Sequence, residues 1–265
     1  MTLKTVLTIA GSDSSGGAGI QADIKTITMH GLYAMSVVTA LTAQNTREVS
    51  GILPTPAEFV GAQLDAVFTD IFPDAVKIGM LPNTEVIETV AEKLIQYGAR
   101  NVVLDPVMVA TSGGRLMRDE AVDTLTARLF PLAAVVTPNI PEAEALTGMP
   151  VIRDEAAMAA AAEKLSRLYG CAALVKGGHL PDRAELADIL AYEGKLCRIP
   201  ARRVDTANTH GTGCTLSSAI ACGLAQPLSL ADSVKAAKAY LQRALEADLT
   251  LGHGSGPLAH NFSLL

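Results

Sequence analysis

The chain has 265 residues, of which 49% are hydrophobic, 4% aromatic and none Trp, with a net charge of −6. That length suits one α/β domain, residues 1–265, around an aliphatic core of the kind buried parallel sheets need. The acidic charge is spread without long runs, which excludes nucleic acid and an anionic membrane surface as expected partners.

Strand-like apolar runs alternate with segments of helical period. Thr5–Ala10 reads as the first strand, and Ile20, Ile24 and Ile27 mark one face of a helix. Ser36–Ala43 is a β-branched run. Pro56 opens a helix whose apolar stripe is Val60, Leu64, Val67 and Phe68. Ala75–Ile78 is a short strand, followed by a helix carrying Val86, Val90 and Leu94. Val102–Leu104 and Ala133–Thr137 are further strands. Met158, Ala161, Leu165 and Leu168 mark a helix, and Ala172–Lys176 closes the series as a strand. The alternation predicts a largely parallel sheet with helices on both faces. Cysteines 171, 197, 214 and 222 have no metal-ligand spacing, and Cys171 and Cys222 read as small core residues. No apolar run reaches spanning length, and Met1–Val6 does not read as a signal peptide. The expectation is a cytoplasmic protein with reduced thiols.

Five predicted strands end in polar or glycine-rich loops: Gly11–Gly19, Gly79-Met80, Asp105–Met108, Thr137–Asn139 and Lys176–His179. Ligands of open parallel sheets bind beyond the carboxyl ends of the strands, so these loops are expected to converge. Gly11–Gly19 lacks the Gly-Lys-Ser/Thr of a triphosphate loop and carries no basic residue, which suits a neutral or cationic ring. Asp23 is either an acceptor for a ring amine or hydroxyl, or an exposed acid early in a helix. The amide of Gln44 can read a ring nitrogen and an amino group together, or belong to a turn.

Asn139 and Glu142 stand where a strand passes into a helix. They read as a helix cap, as a holder of hydrated Mg²⁺ through Glu142, or as both. Asp105, at a strand end, is placed to shape a Mg²⁺ or phosphate environment, and Lys176 to meet phosphate as a point charge. His179, His210 and His253 read as turn residues. In Asn208–Cys214 a glycine-spaced turn opens a helix of small apolar residues. Its N–H groups form an anion cradle, Gly211-Thr212-Gly213, and the helix dipole is expected to favour the thiolate of Cys214. Positioning and charge stabilisation of this kind are what phosphoryl transfer requires. Thr111–Gly114 is the candidate mobile cover.

The segments Ala10–Asp23, Thr39–Thr46, Lys77–Met80, Leu104–Met108, Thr137–Glu142, Val175–His179, Asn208–Cys214 and Gly252–Pro257 together resemble the hydroxymethylpyrimidine/phosphomethylpyrimidine kinases of thiamin biosynthesis, in the ribokinase superfamily. The resemblance runs nearly end to end. It implies a three-layer α/β/α sandwich with a mostly parallel central sheet, ATP and Mg²⁺, two successive phosphorylations, and a homodimer. It carries a pyrimidine pocket onto Gly11, Ala18, Asp23, Gln44, Met80 and Val107. It carries the nucleotide side onto Asp105, Asn139 and Lys176 with Glu142 for the metal, and the anion hole onto Gly211, Thr212, Gly213 and Cys214. Ribokinase-like sugar kinases mostly have Asp as base where this chain has Cys214. The rival readings are a pyridoxal kinase, a non-catalytic pyrimidine sensor, and a cysteine hydrolase that lacks an evident His partner.

Overall fold

The computed structural model describes residues 3–108, 119–178 and 185–264. The candidate cover Thr111–Gly114 and His179 lie outside the described residues. In chain order the elements are β1 (Thr5–Asp13), α1 (Gly19–Met29), β2 (Tyr33–Gln44), β3 (Val49–Pro54), α2 (Ala57–Phe68), β4 (Ala75–Ile78), α3 (Thr84–Tyr97) and β5 (Val102–Leu104). They continue with α4 (Asp119–Arg128), β6 (Val135–Val136), α5 (Ile140–Thr147), α6 (Glu155–Tyr169), β7 (Ala172–Val175), β8 (Glu185–Tyr192), β9 (Lys195–Arg202), α7 (Thr212–Ala225) and α8 (Leu230–Glu246).

One nine-stranded sheet runs in the order β3-β2-β1-β4-β5-β6-β7-β8-β9. The strands from β2 to β7 are parallel, while β3 and the β8–β9 hairpin join antiparallel. Alternation along each strand feeds two cores. Leu7, Ile9, Val76, Ile78, Val102, Leu104 and Val136 meet α2 to α6 on one face. Val6, Ala75, Val103, Val135 and Leu174 meet α1, α7 and α8 on the other. The helices stop where the chemistry of their ends dictates. Asn83, Asp154 and Ser229 cap α3, α6 and α8 through their side chains, and α3 and α6 each end on a left-handed glycine.

Two features of this topology place the site. The chain leaves β1 for β2 and β3, then returns to the other side of β1 as β4, so the strand order reverses at the β1–β4 boundary. Loops leaving the two strands part there and open a crevice. Pairing of β1 with β2 also shifts register between Ala10 and Ser12, which turns the strand end at Gly11. The sequence reading missed β3, the β8–β9 hairpin and α8. The hairpin turns at Glu193-Gly194, both with positive φ, and covers the β7 edge that a purely parallel sheet would have exposed.

Candidate active site

A cavity of about 1000 Å³ opens along the carboxyl ends of the parallel strands. At one end it is lined by Gly11, Asp13, Ala18, Thr42, Gln44, Met80, Val107 and His210, and at the other by Leu186, Asp188, Val204, Lys238, Leu241 and Leu245. Between them lie Asp105, Asn139, Glu142, Lys176 and the turn Gly211-Thr212-Gly213-Cys214. The structure thus gathers around one cavity every site residue expected from sequence except Asp23.

Glycines let the loop Gly11–Gly19 meet the turn Gly211–Cys214. Gly211, with φ of 83°, is the N-cap of α7, and a Cβ on it would run into Gly17 O. A Cβ on Gly17 would in turn overlap the His210 ring. Asp13 organises the loop from inside. Its carboxylate accepts from Ser15 N, Ser15 Oγ, Gly17 N and Ala18 N, and from His210 Nε2 at 2.8 Å. Burial alone would raise this carboxyl, but the hydrogen bonds from His210, Ser15 and Ala18 outweigh it and bring it down to about 2. The Gln44 amide spans two groups: as assigned, its Nε2 lies 3.4 Å from His210 Nε2 and its Oε1 lies 3.1 Å from Thr42 Oγ1.

The centre of the cavity is charged. A bridge between the chain at Asn139 and at Lys176 sets the two side by side. Lys176 Nζ lies 2.8 Å from Asp105 Oδ1, which also accepts from Thr137 Oγ1 at 3.0 Å. A Cβ on Gly213 would come within 2.9 Å of Asp105 Oδ2 and 3.5 Å of Lys176 Nζ, so this pair sits directly against the start of α7. No side chain caps α7. Thr212 N makes a long hydrogen bond to Thr209 O at 3.4 Å, which leaves the N–H groups of Gly213 and Cys214 for an anion.

Asn139 and Glu142 form a full capping box at α5: Asn139 Oδ1 accepts from Glu142 N and Glu142 Oε2 from Asn139 N. Glu142 also lines the cavity, so capping and cavity roles coexist. Burial, then the nearby Asp105 charge, push its carboxyl up to about 7 against the opposing pull of Lys176. Among the described residues no group of three or more His, Cys, Asp and Glu side chains could hold a metal ion alone. Glu142 and Asp105 fit Mg²⁺ in its usual manner, in which water and phosphate oxygens supply the remaining ligands.

Two expectations are corrected. Asp23 is not an exposed acid and does not line the cavity; it is fully buried behind it. Lys77 Nζ lies 2.9 Å from both its oxygens, Thr8 Oγ1 donates to Oδ2 at 2.6 Å, and Ser218 Oγ to Oδ1 at 2.7 Å. Its acceptor capacity is spent inside the protein, joining β1, α1, β4 and α7. Lys77 lies on the strand face packed against α1 and α7, where an unpaired ammonium would be prohibitive. The second correction concerns Cys214. It sits in the first turn of α7, yet burial, with Asp23 and Asp105 adding to it, pushes the thiol up to about 11 despite Lys77 and the Gly19 N–H. Burial works against the helix start here and favours the thiol.

Sequence reasoning also missed the far wall. Asp188 takes Gly177 N at 2.9 Å and Lys238 Nζ at 2.6 Å, tying β8 and α8 to the loop after β7. The alternating Leu186, Asp188 and Leu190 and the helical repeat Val234, Ala237, Leu241 were the available signals.

A glycine-rich pocket at the ends of β1, β2 and β4, an uncapped helix start and a Lys–Asp–Glu centre in one cavity suit phosphoryl transfer to a small molecule. Residues 13–259 match the family model described as phosphomethylpyrimidine kinase. A hydroxymethylpyrimidine/phosphomethylpyrimidine kinase of Rhizobium meliloti (strain 1021) is 53% identical over 96% of either chain. The crystal structure of phosphomethylpyrimidine kinase from Clostridium difficile 630 superimposes with a TM-score of 0.81 at 42% identity, over 91% of this chain and 99% of that one. An ADP complex of Bacillus subtilis pyridoxal kinase gives 0.92 at 34% identity over the whole of both chains. The chain belongs to the phosphomethylpyrimidine kinase family and is a phosphotransferase with the ribokinase-like fold.

Proposed function

We propose that the protein phosphorylates 4-amino-5-hydroxymethyl-2-methylpyrimidine with ATP, first to the monophosphate and then to the diphosphate, in thiamin biosynthesis. The observation that carries the reading is the order of the strands whose ends line the cavity: β2, β1 and β4 bring Gln44, Gly11 and Met80, β5 to β7 bring Asp105, Asn139 and Lys176, and β8 brings Asp188, with the uncapped start of α7 in the same cavity. Gln44 reads the amino group and a ring nitrogen, Met80 and Val107 bound the ring, and Gly11 and Ala18 bring main chain close to it. ATP supplies the phosphoryl group, and Mg²⁺ beside Glu142 and Asp105 would neutralise charge on its phosphates. The N–H groups of Gly213 and Cys214 at the start of α7 stabilise the charge that moves between donor and acceptor, and Lys176 adds a fixed positive charge. Asn139 holds Glu142 in orientation through the capping box. Asp188 and Lys238 brace the nucleotide end.

The acceptor of the second transfer, a phosphate monoester with a second pKa of about 6, is largely ionised at neutral pH and needs no base. Cys214 as an uncharged thiol adds no repulsion against it, where a carboxylate would.

We place the enzyme in the cytoplasm, where its four free cysteines stay reduced. We read it as a homodimer; Leu41, Ile52 and Leu53 are exposed on the β2–β3 ribbon, an apolar strip available to a second copy. Sedimentation of the purified chain tests the dimer. A coupled ATPase assay with the pyrimidine, then with its monophosphate, tests the activity. Turnover with pyridoxal alone would instead assign the site to the ring of its structural neighbour.

A further inference from the structure

His210 and Thr42 together decide which way the Gln44 amide points. The two ends of an amide have nearly the same shape, and only their partners tell oxygen from nitrogen. Asp13 Oδ2 lies 2.8 Å from His210 Nε2, with both side chains buried. An ionised carboxylate can only accept, so Nε2 carries a proton whether the imidazole is neutral or charged. An amide nitrogen facing that atom at 3.4 Å would set donor against donor. Chemistry therefore reverses the assigned amide: the end of Gln44 toward His210 is its carbonyl oxygen.

The other end gives the same answer independently. Thr42 Oγ1 has one proton, and it lies 2.8 Å from Ser12 O, a pure acceptor. Toward the amide atom 3.1 Å away, assigned as Oε1, the hydroxyl has only lone pairs left, so the group that fits there is the NH₂. Two separate constraints, one from β1 and one from the turn before α7, fix the same orientation.

We infer that His210 is a specificity-determining residue: through Gln44 it fixes the direction in which an aminopyrimidine edge is read, with the exocyclic amine on the His210 side and the ring nitrogen on the Thr42 side. The amide keeps one lone pair on its oxygen and one proton on its nitrogen for the cavity. An amine donates to the first, and a ring nitrogen accepts from the second. A ring presenting the reverse order meets two mismatches. This rests on the reading of Gln44 as the ring-recognising residue.

The test has two arms. In the unaltered protein, ¹⁵N spectra of labelled imidazole should show His210 Nε2 protonated throughout the neutral pH range; an unprotonated Nε2 overturns the inference. In the second arm, calorimetry measures binding of 4-amino-5-hydroxymethyl-2-methylpyrimidine and of the analogue with hydrogen in place of the amine. Thr42→Val and His210→Ala should each weaken the amino compound about tenfold and the analogue far less, the size expected for one misdirected buried hydrogen bond. In a Gln44→Ala background both effects should vanish. Equal losses on both rings, or losses that persist without Gln44, overturn it. Thr42→Val and the spectra decide the matter should His210→Ala not fold. A wild-type chain that ignores the amino compound refutes the pyrimidine reading, while the spectra still settle the amide.

Discussion

Lys77→Met should cost the fold about 3–5 kcal/mol, the range found when one partner of a buried ion pair is removed. Both side chains of the pair are completely buried, and Lys77 Nζ lies 2.9 Å from each oxygen of Asp23. Methionine roughly preserves volume, so the cost is electrostatic. It leaves a carboxylate in the interior with only the hydroxyls of Thr8 and Ser218. For a chain of this size each kcal/mol lowers Tm by roughly 2–4 °C, so a fall of roughly 6–20 °C is expected. Urea unfolding followed by circular dichroism, with calorimetry in parallel, measures it. The double variant Asp23→Leu/Lys77→Met should lose less than the sum of the singles by about 1–3 kcal/mol, because neither charge is then stranded. Lys77→Met unfolding within 1 kcal/mol of wild type, or strictly additive losses, would refute the account of this pair.

Glu142 has its carboxyl raised to about 7 by burial, so its contribution to stability is full below about pH 4.5 and is lost as pH rises toward 7. A metal needs the carboxylate, so the Mg²⁺ needed for half-maximal rate should fall as pH climbs from 6 to 8. Glu142→Gln should raise the requirement in both transfers and flatten that profile; superimposable titrations would leave Glu142 as a cap alone. With its thiol near 11, Cys214 should alkylate in a Cys197→Ser background at a rate still rising at pH 9, and a plateau near 7 would restore the thiolate. Cys214→Ser should slow both transfers alike, by less than about tenfold. A selective loss of a hundredfold or more on the alcohol, seen in single-turnover rates, would mark a general base. Gln44→Met should weaken the aminopyrimidine by about 1–3 kcal/mol and pyridoxal less, read from kcat/KM on the two rings. Equal losses would make Gln44 a turn residue.

Local cues read well where the structure obeys them. The strands Ala75–Ile78 and Val102–Leu104 stand as their apolar runs predict, and the loops after them meet in one cavity. Asn139 and Glu142 form the cap their spacing announces. What failed depended on distant residues. Asp23 looks exposed from its neighbours in sequence, but its partners lie 15, 54 and 195 positions away. The same holds for Cys214: a helix start is visible locally, whereas the burial that overrides it is assembled from several elements. The β8–β9 hairpin was missed because parallel βα alternation sets an expectation that an antiparallel edge breaks.

The interlocked glycines of the acceptor loop and the α7 turn have a consequence for substrate range. Gly17 O fills the space a side chain on Gly211 would take, and the His210 ring fills that beside Gly17. The span from the Gly11–Gly19 loop to the α7 turn is thereby set by the main chain at Gly17 and Gly211 with the buried His210 ring wedged behind it. It acts as a gauge of fixed length. On the proposed reading, such a site measures its acceptor by the reach of the arm that carries the hydroxyl as well as by the pattern on the ring. One methylene more or less should be harder to accommodate than a changed ring atom.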